Sequence, residues 1–399
     1  MLLIAAPGQG AQTPGFLAPW LELPGFSDRL EAWSDLAGFS LIWYGTTADA
    51  DEIRDTAIAQ PLLVAAALAA ALDQVITGEH PVSRQSVVVA GHSVGELAAG
   101  VLARVISAED AMRLVRVRAD AMAAAAAIEP TGMTAVLGGD EDDVLAAIEA
   151  AGLTPANVNG AGQIVAAGTL EQLAAFAQAP PAGARLRPLS VAGAFHTHHM
   201  APATDALAAA AQTITAADPY RPLLSNRDGA VVKSGPEWLD RIITQVSSPV
   251  RWDKCMQTMD RMGVTAMIEL PPAGTLTGLA RRALRGIEVV SLKTPDDLEA
   301  ARALIAEHAE SHDDHHAPEW RLVVAPTAGN FRAPTGHPDS AGPGTPVGPG
   351  TDLGHIQSRG GDQPVTAPFP ATVIEWLAED GDPVSAGQPL IRLLPEPGN

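Results

Sequence analysis

Short unbroken apolar runs alternate along the chain with longer stretches in which apolar residues recur at helical spacing. Residues 2–6 (LLIAA) and 86–90 (SVVVA) are continuous and of strand length, the pattern of strands covered on both faces. Helical patterns occupy residues 28–36 and 60–76. Ser107 opens another helix, with Asp110 in capping position, that runs through Arg118 towards residue 127. Strands alternating with helices predict an α/β domain on a largely parallel sheet. After a break this pattern resumes, with strands expected at 221–225, 266–270 and 289–292.

The break has its own rhythm. Strands are predicted at 134–137, 156–159, 163–167 and 186–191, with helices at 142–151 and 170–177. This β-α-β-β-α-β order is the ferredoxin-like pattern and reads as an α+β subdomain inserted at 129–193. The large domain then comprises 1–128 and 194–310. Gly and Pro dominate the chain from 334 to 350, and 311–350 reads as a flexible linker. Strand-like alternation returns from 365 to 394, so 351–399 is expected to form a small all-β tail.

Composition narrows the possibilities. The 399 residues allow two or three domains, and 47% apolar against 18% charged residues permits a large core. Lys+Arg is 25 against Asp+Glu 46, a net charge of −21, so a general phosphate-binding surface for nucleic acid is excluded. The single cysteine, Cys255, allows neither an intramolecular disulfide nor a cysteine-based zinc cage. The start of the chain has no basic lead-in, and no apolar stretch is long enough to span a bilayer. A reduced, cytoplasmic protein without a membrane partner is expected. His308, His312, His315 and His316 sit among acidic residues, but their spacing matches no defined metal cage. The lysines are Lys233, Lys254 and Lys293 alone.

Gly91-His92-Ser93-Val94-Gly95 fits G-x-S-x-G between a strand and an Ala/Leu-rich helix, the setting of a nucleophile elbow. The sharp turn lifts the serine hydroxyl clear of the sheet and brings the next backbone N–H beside the reacting carbonyl. The competing reading is an ordinary strand-to-helix turn with Ser93 as N-cap. A serine needs a base to take its proton, and the pattern does not choose among eleven histidines, although His196, His198 and His199 lie where the large domain resumes.

Taken together, several motifs resemble the malonyl-CoA:acyl-carrier-protein transacylases, over residues 1 to about 297. They are Gly8-Gln9-Gly10-Ala11-Gln12, the elbow extended to Glu96, Leu114 through Arg118, and Gly193-Ala194-Phe195-His196. Gln245 ahead of Ser248-Pro249-Val250-Arg251-Trp252, and Glu269 through Gly274, complete the set. The resemblance implies a hydrolase-like α/β fold and ping-pong transfer of a malonyl group from malonyl-CoA to an acyl carrier protein, with no permanently bound cofactor. It makes Ser93 the acylated nucleophile and His196 its general base. The main-chain carbonyl of Gln245 would orient the imidazole, and the backbone N–H groups of Gln12 and Val94 would form the oxyanion hole. Arg118 would grip the malonyl carboxylate, whereas Arg116, on another face of that helix, is expected to be solvated. Phe195 would crowd an α-methyl group. An acidic carrier requires a local basic patch, for which Arg281, Arg282 and Arg285 are candidates alongside their reading as a solvated helix face.

The tail resembles biotinyl/lipoyl carrier domains of β-hammerhead type, through Ala367-Pro368-Phe369-Pro370-Ala371 and Glu379-Asp380-Gly381-Asp382-Pro383-Val384, with 345–356 as a divergent first half. The acceptor lysine of that family aligns with Gly360, and no lysine follows Lys293. Two other functions fit parts of the pattern: a thioesterase on the same elbow, and a scaffold whose tail recruits synthase components. The oligomeric state is not legible in the sequence.

Overall fold

The computed structural model describes residues 1–75, 86–309, 321–334, 344–358 and 360–395. The chain divides into two units, Met1–Asp313 and Asp314–Asn399, each with its own core. The first begins with β1 (Leu2–Ala6), α1 (Phe26–Ala37), α2 (Leu41–Thr46), α3 (Thr56–Ala70), β2 (Val87–Gly91), α4 (Gly95–Leu102) and α5 (Ala108–Ala126). Next come β3 (Thr131–Gly138), α6 (Glu141–Ala150), β4 (Thr154–Gly160), β5 (Gln163–Thr169), α7 (Leu170–Gln178) and β6 (Ala184–Pro188). It ends with α8 (Ala201–Ala211), α9 (Gly235–Gln245), β7 (Val250–Arg251), α10 (Trp252–Arg261), β8 (Ala266–Glu269), α11 (Thr275–Ala283), β9 (Glu288–Ser291) and α12 (Leu298–Ala309).

Strands β2, β1, β8 and β9 form, in that order, a wholly parallel sheet. Alternation along β1 shows why its sequence is apolar throughout. Leu2, Ile4 and Ala6 face a cluster that includes α3, α4 and α5, while Leu3 and Ala5 face Trp252, Met256 and Leu279 from α10 and α11. α3 is buried on nearly every side, its alanines allowing close approach of α5. Its start is set by Asp55, whose side chain accepts the Ala57 N–H, and residue 76, the expected helix end, lies outside the described residues. The strand predicted at 221–225 is reduced to isolated bridges, Val89 with Leu223 and Leu224 with Val231. Pro222 has no N–H to donate to a longer ladder.

The second sheet has the order β6-β3-β5-β4-β7 and is antiparallel except for the β4–β7 pair. Four of its strands, with α6 and α7, follow the β-α-β-β-α-β order. Val144, Ile148 and Phe176 from the two helices close the core on one face. The fifth strand, β7, arrives from beyond residue 193 and was not apparent from the pattern.

The second unit contains β10 (Arg321–Val324), β11 (Gly329–Arg332), β12 (Pro346–Val347), β13 (Asp352–Ser358), β14 (Gly361–Thr366), β15 (Ala371–Trp376), β16 (Pro383–Val384) and β17 (Pro389–Pro395). Two four-stranded sheets, β10-β17-β15-β12 and β14-β13-β11-β16, share a core containing Phe331, Leu353, Ile356, Val373 and Leu390. The expected linker at 311–350 is therefore corrected, because β10, β11 and β12 lie inside it and Phe331 is fully buried. Strands of two to four residues between Gly- and Pro-rich turns carry too little periodicity to stand out from such a composition. Leu298, Ala301, Leu304 and Ile305 of α12 belong to the main core of the first unit. No helix among the described residues is long and apolar enough to cross a membrane.

Candidate active site

The turn between β2 and α4 is built on two glycines. A Cβ on Gly91 would lie 1.9 Å from the carbonyl carbon of Gly95, and one on Gly95 would lie 2.3 Å from the Ala6 oxygen. Neither place admits a side chain. Between them Ser93 is held at φ 53°, in the left-handed region that non-glycine residues seldom occupy. Asn226 staples the turn: its Oδ1 accepts the Ser93 N–H at 2.7 Å and its Nδ2 donates to the Gly91 carbonyl at 2.8 Å.

Ser93 Oγ lies 2.7 Å from Nε2 of His196, and Nδ1 of His196 lies 2.8 Å from the main-chain oxygen of Gln245, the last residue of α9. A carbonyl can only accept, so Nδ1 carries the proton and Nε2 is free to accept from the serine. The carbonyl is available because the last carbonyls of a helix have no intrahelical partner. His196 is buried and sits at φ 62°. Burial, and then the charge of Arg118, push its pKa down to about 3 against the pull of the Gln245 carbonyl. The imidazole is thus a neutral base, held without a carboxylate.

Arg118, on α5, is buried beside this pair. Its Nη1 donates to Gln60 Oε1, and its Nη2 donates to Gln245 Oε1 at 2.9 Å and to Ser93 Oγ at 3.4 Å. Its Nε has no partner, and it forms no ion pair among the described residues. Burial lowers its pKa to about 10, opposed by the charge of Glu96, so it remains a cation at neutral pH. Glu96 accepts the Asn226 N–H at 3.0 Å and the Gln245 side-chain amide, while burial pushes its carboxyl up to about 8. His92 donates from Nε2 to Asn159 Oδ1 at 2.9 Å.

Two adjoining cavities meet here. A chamber of about 70 Å³ is lined by Gln9, Ser93, Val94, Met122, Met133, Phe195 and His196. It shares Gln9, His92 and Asn157 with an outer cavity of about 730 Å³ that also takes in Gln12, Arg54, Arg187 and Leu279.

Of the residues expected at the site, Ser93, Val94, His196, Gln245 and Arg118 converge, and Gln12 does not. Its side chain bonds the Gly10 N–H at 2.9 Å and the Ile53 carbonyl at 3.1 Å, and it lines only the outer cavity. Ala6 pairs with Gly91 on neighbouring parallel strands, and of the two glutamines Gln9, the nearer to the strand end, is the one that lines the chamber with Ser93. Arg116 is not simply solvated: it bonds the Ala37 carbonyl at 2.8 Å and pairs with Asp120 at 2.7 Å. Phe195 lines the chamber, and Arg281, Arg282 and Arg285 are exposed. Gln60 and Asn226 were missed, since each lies far in sequence from the residues it holds. Glu96 was visible inside the elbow motif, but only its contacts reveal what it does. His308 bonds Thr265 Oγ1 at 3.2 Å and lies with Glu288 and Glu307 in a group able to hold a metal ion. His312, His315 and His316 lie outside the described residues.

A strained serine on a strand–helix elbow, a neutral histidine backed by a carbonyl and a buried, unpaired arginine define a serine-dependent acyl-group enzyme. The chain belongs to the acyl transferase domain family, which matches residues 6–314. It is 54% identical over 299 residues to the malonyl CoA-acyl carrier protein transacylase of Mycobacterium tuberculosis, covering 75% of this chain and 98% of that one. The same-named protein of Escherichia coli is 34% identical over 306 residues, covering 75% of this chain and 97% of its own. The crystal structure of MCAT from Mycobacterium tuberculosis superposes with a TM-score of 0.72 at 53% identity, covering 76% of this chain and 99% of that chain. A type II polyketide acyl-carrier protein in complex with its malonyl-transacylase contains a chain with a TM-score of 0.70 at 28% identity, covering 76% of this chain and 99% of that chain.

Proposed function

We propose that the protein moves a malonyl group from malonyl-CoA to the phosphopantetheine thiol of an acyl carrier protein. The observation that carries this reading is Arg118, a buried guanidinium without a carboxylate partner, 3.4 Å from the nucleophile. Leaving a cation unpaired in a low-dielectric site is costly, and a planar carboxylate on the acyl group is the anion that relieves it. His196 Nε2 takes the Ser93 proton as Oγ attacks the thioester carbonyl. The oxyanion collapses, the C–S bond breaks and His196 returns the proton to the departing CoA thiolate. The carrier's thiol then gives its proton to His196 and attacks the Ser93 ester, which regenerates the serine. The backbone N–H groups of Val94 and Gln9, rather than Gln12, serve the oxyanion, because of the two glutamines only Gln9 lines the small chamber with Ser93 and Val94. Phe195 in that chamber favours an unbranched malonyl group. The outer cavity takes the pantetheine arm, and the exposed arginines of α11 meet an acidic carrier.

Arg118→Ala tests this reading. Ser93 acylation by malonyl-CoA should fall by about 100-fold or more, as expected for loss of a buried charge-assisted pair, while acylation by acetyl-CoA holds or improves. Equal loss for both acyl groups would refute the carboxylate role.

The β6-β3-β5-β4 portion of the second sheet, with α6 and α7, is read as a ferredoxin-like insertion. For the tail, Gly360 lies between the paired Ser358 and Gly361 that close the hairpin of β13 and β14. A hammerhead carrier would present its lysine at such a turn. With no lysine beyond Lys293, the tail has no amide acceptor for biotin or lipoate and is read as a docking module.

A further inference from the structure

Glu96 does not touch the reacting atoms, yet it is wholly buried three residues after the nucleophile. Oε1 accepts the Asn226 backbone N–H at 3.0 Å, and Oε2 accepts the side-chain amide of Gln245. The other end of that amide, Gln245 Oε1, receives Arg118 Nη2 at 2.9 Å. A primary amide has one donor end and one acceptor end, so whatever holds its NH2 decides what its oxygen faces. Gln245 therefore serves two neighbours through separate groups. Its main-chain oxygen orients His196, and its side chain stands between Glu96 and Arg118.

We propose that Glu96 is a positioning residue that fixes the Gln245 side-chain amide with its oxygen toward Arg118, and so sets where the guanidinium meets the substrate's carboxylate. The inference rests on the reading of Arg118 given above. Two further contacts agree with it: the Gln245 NH2 also faces the Ser93 carbonyl at 3.2 Å and Asn226 Oδ1 at 3.4 Å. All of its neighbours on that side are acceptors.

Above about pH 8, where the acylation rates are to be compared and the Glu96 carboxylate has no proton to donate, Glu96→Gln changes little in volume but reverses one bond. The Asn226 donor is a backbone N–H and cannot invert, so the new side chain must turn its oxygen there and its NH2 toward Gln245. Two NH2 groups then face each other. Gln245 either flips, presenting its NH2 to Arg118, or swings away; in both cases the guanidinium loses its Gln245 acceptor and keeps only Gln60 and Ser93. The main-chain bond from Gln245 to His196 does not depend on that amide, so the base and nucleophile keep their geometry.

The test measures the rates at which Ser93 is acylated by malonyl-CoA and by acetyl-CoA in the full-length chain. Glu96→Gln should lower the malonyl-to-acetyl ratio by about tenfold or more, with acetyl acylation changed by less than about threefold. Retained acetyl acylation also demonstrates that the variant is folded. A second variant, Glu96→Asp, keeps a carboxylate to accept the Gln245 NH2 and should retain more of the ratio than Glu96→Gln. An equal fall for both acyl groups, an unchanged ratio, or a Glu96→Asp ratio no higher than that of Glu96→Gln would overturn the inference. Absence of malonyl preference in the unaltered protein would remove this inference and the Arg118 reading together. A normal preference there with an unchanged Glu96→Gln ratio removes this inference alone.

Discussion

Ser93 and His196 are both held at positive φ, at 53° and 62°, and each is over-determined by bonds from elsewhere in the chain. Asn226 anchors the serine N–H, and the Gln245 carbonyl fixes the imidazole tautomer. The serine was legible, because glycines on either side of a strand-to-helix turn leave few other uses for the pentapeptide. The histidine was not legible from pattern: it lies 103 residues from Ser93, and proximity across that distance is a property of the fold. Two glutamines share one glycine-rich motif, and only the fold distinguishes Gln9, which lines the chamber, from Gln12, which lines the outer cavity alone. A pH experiment belongs at this scale. The free enzyme's base has its pKa lowered to about 3, so His196 stays neutral down to well below pH 6. The kcat/KM for malonyl-CoA should therefore be flat from pH 7.5 to about pH 5.5, without a limb near the ordinary histidine value. An acid limb centred near 6.5 would contradict it. The same depressed value makes folding stability fall with pH, beginning near the unfolded-state value of 6.5 and continuing towards about 3.

At the scale of elements, long runs with strong patterns were readable and short ones were not. β1, β2, α5 and the six elements between Thr131 and Pro188 follow from apolar continuity, capping and alternation. The two-residue β7 was hidden, as were β10 and β11, because four residues barely establish a period. α12 is the instructive case. It lies within the 194–310 stretch read as the end of the large domain, although the resemblance to the transacylases reaches only to about 297. Leu298, Ala301, Leu304 and Ile305 close the face of the first unit. A chain ending at Asp313 should keep malonyl transfer within about twofold of the full-length rate, because the unit's core remains whole. A chain ending at Asp297 should be poorly folded, with its Tm lowered by 10 °C or more on the order of several lost core side chains. Thermal melts and transfer rates for the two fragments check both outcomes, and equal behaviour would contradict the assignment of α12.

For the whole molecule, the net charge of −21 and the missing C-terminal lysine define what the two units can do. The exposed arginines of α11 stand near an outer cavity to which α11 itself contributes Leu279, and the proposed docking of an acidic carrier rests on that local positive charge. The tail has a packed core of its own but no residue able to carry an amide-linked cofactor. Transfer of the acyl group is thus assigned to the first unit alone. The most direct test uses the full-length chain, malonyl-CoA labelled in the malonyl group and a purified holo acyl carrier protein. Label should appear as an ester on Ser93 and pass to the carrier's thiol, with free malonate forming only slowly, and Ser93→Ala should remain unlabelled. Label released chiefly as free malonate with the carrier left unloaded, or transferred undiminished by Ser93→Ala, would contradict the account.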